Sequence, residues 1–89
     1  MRVKEGFIVR KIANQYMAVP VGTRTKEVHG MIGLNEAGVF LWNQMVEEKT
    51  EQELVSALCK EYEIDEERAI LSVRRFCEKV KKEGLFADD

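Results

Sequence analysis

Residues 50–84, TEQELVSALCKEYEIDEERAILSVRRFCEKVKKEG, hold two helices and the joint between them, and the shortness of that joint decides the fold. Thr50 and Glu53 stand three apart, so the hydroxyl is placed to accept from the third amide while the carboxylate reaches back to the first. Leu54, Val55, Leu58 and Tyr62 then share one face at helical spacing. Asp65 is a second N-cap, and Ile64 before it is placed to staple onto Ala69. Ala69, Val73, Phe76 and Val80 follow as a stripe at i, i+4, i+7 and i+11. Lys81 and Lys82 in the last turn, Gly84 at the left-handed position and Leu85 as its apolar contact end the helix. Helices are expected over 51–62 and 66–83, with only Glu63 and Ile64 before the second cap. Such a joint suits a helix-turn-helix.

Upstream, Asn35 is a good N-cap, Glu36 complements the helix dipole, and Ala37, Phe40, Leu41 and Met45 cluster, so a first helix is expected over 36–47. Before it the periodicity changes. Phe7 to Ile12 and Gln15 to Pro20 are rich in β-branched and aromatic residues, and Ala13-Asn14 between them suits a tight hairpin. A third run, 26–34, carries Val28, Met31, Ile32 and Leu34, with Gly30 and Gly33 weakening the strand or marking the approach of another backbone. The order is β-β-β-α-α-α: an α+β chain in which a three-stranded antiparallel sheet precedes three helices, winged helix-turn-helix-like. With 89 residues, 45% hydrophobic and 34% charged, one domain spanning 1–89 is expected. No apolar run is long enough for a membrane span and no signal-peptide core appears, so a cytoplasmic protein is expected.

The signature that joins the two halves is Leu34-Asn35-Glu36-Ala37-Gly38-Val39-Phe40-Leu41-Trp42. It resembles the LNxxGxxxW motif of PqqD-like proteins, in which a strand ends and the first helix begins. Gly30-Met31-Ile32 before it, Thr50, Glu53 and Leu54, the joint at Ile64-Asp65-Glu66-Glu67, and the closing Val73, Phe76, Val80, Gly84 and Leu85 agree with that family across nearly the whole chain. The resemblance implies a RiPP recognition element, a non-catalytic peptide chaperone. Such a domain binds the leader of a ribosomally made precursor peptide as an added strand on the third β-strand, in the groove beside the third helix. It also implies delivery to a modifying enzyme, frequently a radical SAM (S-adenosylmethionine) protein. The N-terminal half lacks the proline- and tryptophan-bearing strand associated with pyrroloquinoline-quinone synthesis itself, so no particular pathway is assigned.

The residues are compatible with that function. Strand addition needs an open edge whose unpaired backbone groups supply affinity and whose alternating pockets supply selectivity. Val28, His29, Gly30, Met31 and Ile32 offer such an edge, Gly30 leaving room for a partner chain and Met31 giving adaptable apolar contact. On the third helix Ile70 and Cys77, with Arg74 and Lys81 alongside, flank the core stripe as the groove's other wall, and Leu71 points nearly opposite the stripe, either simply exposed or part of a partner surface. Arg74 and Arg75 suit acidic side chains of a peptide, or a solvated face.

Other functions find little in the residues. His29 is the sole histidine, and no phosphate loop or HExxH spacing occurs, so no catalytic residue, metal or cofactor is expected. Cys59 and Cys77, eighteen positions apart and outside any CxxC pair, read as reduced packing residues. The alternative is a winged-helix DNA-binding protein, since a basic third helix enters the major groove in many such folds. Charge distribution opposes it. Acidic residues outnumber basic ones by seven from Glu47 to Glu67, so the third helix starts on Asp65-Glu66-Glu67, and only from Arg68 to Lys82 does the sign reverse. Neither a nucleic-acid nor a membrane partner is expected. An open third-strand edge also permits a homodimer in place of a monomer.

Overall fold

The computed structural model describes residues 1–22 and 32–87. Its elements run β1 (Phe7–Ile12), β2 (Gln15–Pro20), β3 (Ile32–Leu34), α1 (Glu36–Gln44), α2 (Glu51–Tyr62) and α3 (Glu66–Lys82). The sheet is antiparallel throughout, in the order β1-β2-β3, so the expected α+β sequence of three strands and three helices is the observed one. Of the expected third run, Ile32 to Leu34 is seen as strand, while Val28, His29, Gly30 and Met31 lie outside the described residues.

Each boundary has a local cause. Ala13 and Asn14 both take positive φ, 48° and 68°, which is the mirror-image turn that matches the twist of a two-residue hairpin. Asn35 holds an extended φ and ψ, and its Oδ1 accepts from the Gly38 amide at 2.7 Å, opening α1. The α2 capping box closes both ways: Glu53 donates its amide to Thr50 Oγ1 at 3.1 Å, and Thr50 donates its own to Glu53 Oε1 at 2.9 Å. Asp65 Oδ1 accepts from the Arg68 amide at 2.9 Å. At the far end of α3, Gly84 has φ 69°, and the Leu85 amide donates to the Val80 carbonyl at 2.9 Å, bringing Leu85 into the core.

Helix α1 ends at Gln44, three residues before the expected Glu47. The reason is a long-range contact that local spacing does not encode. The Met45 carbonyl accepts from the Val3 amide at 2.9 Å, and Val3 bridges Phe86, so the first residues are laid beside the C-terminal segment and under the end of α1.

The core lies between the inner face of the sheet and all three helices. Ala18 and Leu34 come from the sheet, Leu41, Trp42 and Met45 from α1 and its cap, Leu54, Val55 and Leu58 from α2, and the Ala69, Val73, Phe76 and Val80 stripe from α3. Trp42 meets Phe7 edge to face with centroids 5.8 Å apart. Tyr62, expected on the buried face of α2, instead sits 39% exposed at its border, edge-on to Phe40 at 5.9 Å.

The capping box makes a testable contribution. Thr50→Ala should lower unfolding free energy by about 1 kcal/mol with an unchanged urea slope. Hydrogen bonds from Thr50 hold the Glu53 carboxyl below its ordinary value of 4.5. A lowered folded-state value stabilises above 4.5, and that contribution fades as pH falls through the folded value. The stability gap between wild type and Glu53→Gln, followed by urea titration, should therefore narrow on going from pH 6 to below about 4.

Candidate functional site

The hairpin determines which backbone groups of the sheet remain open. In a two-residue hairpin the flanking residues, Ile12 and Gln15, exchange both hydrogen bonds, and the pattern alternates from there. Gln15, Met17 and Val19 therefore aim N–H and C=O at β1, and Tyr16 and Ala18 aim theirs at β3. The phase is confirmed beyond the strands, where the Val21 amide donates to the Gly6 carbonyl at 2.8 Å. Gly33 pairs with Met17, so its own N–H and C=O face away from β2, onto the free edge of the sheet. Gly33 adds no side chain to this edge. A Cβ there would find its nearest neighbour, Met17 Sδ, at 3.9 Å, so the position is bare without being sterically forced.

Beside this edge runs a cleft of about 190 Å³, walled by Gly33, Leu34 and Asn35, by Ala37, Gly38 and Leu41 of α1, and by Ser72, Arg75, Phe76 and Lys79 of α3. The Lys79 ammonium, one of the groups lining it, donates to the Gly33 carbonyl. Lys79 is exposed, so solvent competes for its ammonium and this bond can exchange readily. Lys79 also lines an adjoining hollow with Lys11, Tyr16 and Glu36, where Lys11 stands 5.8 Å from the Tyr16 ring centre.

Helix α3 thus turns a different flank to β3 from the one the sequence favoured. The stripe Ala69-Val73-Phe76-Val80 has a border on either side, with residues roughly 70 to 150° from its centre. One carries Ile70, Arg74 and Cys77; the other carries Arg68, Ser72, Arg75, Lys79 and Lys82 at i, i+4, i+7, i+11 and i+14. The second border faces the strand. On the first, Arg74 Nε donates to Glu51 Oε1 of α2 at 3.0 Å, and Cys77 Sγ lies 3.9 Å from Met1 Sδ. Ile70 packs against the core, and Leu71 is 55% exposed. Ile32 lies on β3, as expected, with its half-buried side chain on the core side. Ser72, Phe76 and Lys79 were not singled out as wall residues. Their signal was charge: this border is basic along its length, whereas Arg74 had an acidic α2 to pair with.

Among the described residues no polar or charged residue is buried, and no three His, Cys, Asp or Glu side chains gather to hold a metal ion. Burial, with Glu51 nearby adding to it, pushes the Cys77 thiol above its ordinary value.

A family model described as coenzyme PQQ synthesis protein D (PqqD) matches residues 21–85. The chain belongs to the PqqD family. Its fold is shared with a solved structure, TbiB1 in complex with the TbiA(beta) leader peptide, at a TM-score of 0.70 and 23% identity over 99% of this chain and 100% of that one. No curated protein matches the sequence. The motif that carried the PqqD resemblance has a physical basis in this chain. Leu34 is buried, Asn35 caps α1, Trp42 is buried against Phe7, and a Cβ on Gly38 would lie 3.1 Å from the capping Oδ1 and 3.5 Å from Leu34. Glycine at 38 keeps the cap and the strand end in contact. Gly38→Val should accordingly cost about 2 kcal/mol or more in urea unfolding, and Gly33→Ala less than about 0.5 kcal/mol. In a Cys59→Ser background, Cys77 should react with iodoacetamide at pH 8 several-fold more slowly in the folded protein than in urea.

Proposed function

We propose that this chain, acting as one peptide-recognition domain over residues 1–89, binds a ribosomally made precursor peptide without performing chemistry on it. The peptide's leader adds as a strand along β3, its side chains entering the cleft against α3, and the complex presents the peptide to a separate modifying enzyme. The observation that carries this reading is the outward-facing N–H and C=O of Gly33 on the sheet edge, directly beside the cleft. Membership of the PqqD family and the shared fold with TbiB1, solved with a leader peptide, support it. A radical SAM enzyme is the partner class proposed for the modification step, and a cytoplasmic location is proposed with it; among the described residues no helix is long and apolar enough to cross a membrane.

The site proposed here combines the strand edge named from sequence, Val28 to Ile32, with Gly33 and with the Ser72, Arg75, Phe76 and Lys79 border of α3. Duplex DNA is the less favoured occupant. Asp65, Glu66 and Glu67 occupy the start of α3, where a recognition helix meets phosphates, and the Asp65 carboxylate is fixed there by its bond to the Arg68 amide.

The direct test titrates ¹⁵N-labelled protein with the precursor peptide encoded beside its gene. Amide shifts should cluster on Ile32 to Asn35 and on Ser72, Arg75, Phe76 and Lys79, leaving Arg74 and Cys77 nearly unmoved. Shifts spread evenly over the chain, or none at all, would sink the strand-addition reading. Saturable binding to duplex DNA in low salt, tighter than to the peptide, would favour the DNA reading instead.

A further inference from the structure

We infer that Lys79 is a displaceable cap on the free edge of β3 and selects peptides that carry a carboxylate beside the added strand. The inference rests on the strand-addition reading and goes one step beyond it, from where a peptide docks to which peptide is preferred.

The geometry sets up a competition. Among the described residues of β3, Gly33 alone turns its carbonyl to the outer edge, and that carbonyl already accepts from the Lys79 ammonium. An added strand runs about 4.8 Å from β3 and must donate a backbone N–H to the same oxygen. The lysine head occupies the path that this backbone would follow, so it has to move aside. Its stem is rooted on α3, and the displaced ammonium therefore remains at the cleft, between Arg75 one turn earlier and the Tyr16 and Glu36 side of the adjoining hollow.

What the ammonium meets there decides selectivity. A peptide with an Asp or Glu facing α3 offers an acceptor that is itself charged, in place of the neutral carbonyl given up. A peptide with a neutral side chain at that place covers the cleft, reduces the solvation of the ammonium and brings it no new partner. The border itself supports the assignment. Arg68, Arg75, Lys79 and Lys82 are all exposed along this side of α3, whereas Arg74 on the opposite border is already paired with Glu51. Glu36 is the carboxylate that lines the neighbouring hollow, and it stands at the first turn of α1, where the helix dipole already favours it.

The test is a selection that needs no known ligand. A phage-displayed library of random dodecapeptides is panned in parallel on wild type, Lys79→Met, Lys79→Gln, Lys79→Arg and Arg74→Met, each first checked for a native far-UV spectrum. Wild type, Lys79→Arg and Arg74→Met should select sequences enriched in Asp or Glu at one position of an alternating apolar pattern, and Lys79→Met and Lys79→Gln should select the pattern without the acid. For a synthetic copy of a selected peptide, changing that acid to its amide should weaken binding about fivefold to tenfold in wild type and less than twofold in Lys79→Met. Peptides selected by wild type without acidic enrichment, or an enrichment that persists in both neutral variants, would overturn the role of Lys79 and leave strand addition standing. If wild type selects no peptide, strand addition itself fails, and the cap with it.

Discussion

Everything at the candidate site depends on one junction, where Leu34 ends β3, Asn35 caps α1 and Gly38 lets the two lie against each other. With Leu34 buried and the Asn35 Oδ1 bonded to the Gly38 amide, the direction of α1 is set within four residues of the strand edge. The α3 stripe then packs against α1, α2 and the sheet, and the space left between β3 and α3 is the cleft. A longer connection would allow the same core with a different groove. The tightness of this turn fixes the cleft beside the strand edge.

Local chemistry made most of the architecture legible in the sequence. Thr50 with Glu53, Asp65, Asn35, Gly84 and the Ala13-Asn14 turn each act within four or five residues, so their consequences can be read from spacing alone. Contacts between distant segments were another matter. Nothing near Met45 signals that its carbonyl will meet Val3, and so the end of α1 was placed too late. The candidate site shows the same limit more sharply. The core stripe of α3 is unmistakable, but its two borders are mirror choices in sequence, and only the three-dimensional path from β3 through α1 decides which one faces the strand. Ile32 to Leu34 form the end of the expected third run, the cleft beside them is lined by the border of α3 that the sequence did not favour, and the residues from Val28 to Met31 lie outside the described part of the chain.

Charge organises the molecule along the same lines. The acidic α2 lies against one border of α3 and engages Arg74, while Arg75 and Lys79 of the other border line the cleft beside the strand. A net charge of only −2 conceals this separation. The polarity is stabilised by ordinary helix rules, acids at the N-terminal turns and lysines in the last turn of α3, so a charged wall beside the sheet edge requires no strained or buried ion.

The bridge between Val3 and Phe86 has a consequence for how such a domain can be joined to other proteins. With the Ala87 amide donating to the Arg2 carbonyl at 2.7 Å, the chain enters and leaves the fold at nearly one point, and Met1 at that point touches Cys77 on the border of α3 turned away from the cleft. A polypeptide spliced to either end would be anchored behind the groove. A domain fused at either end would start from the side of α3 turned away from the cleft.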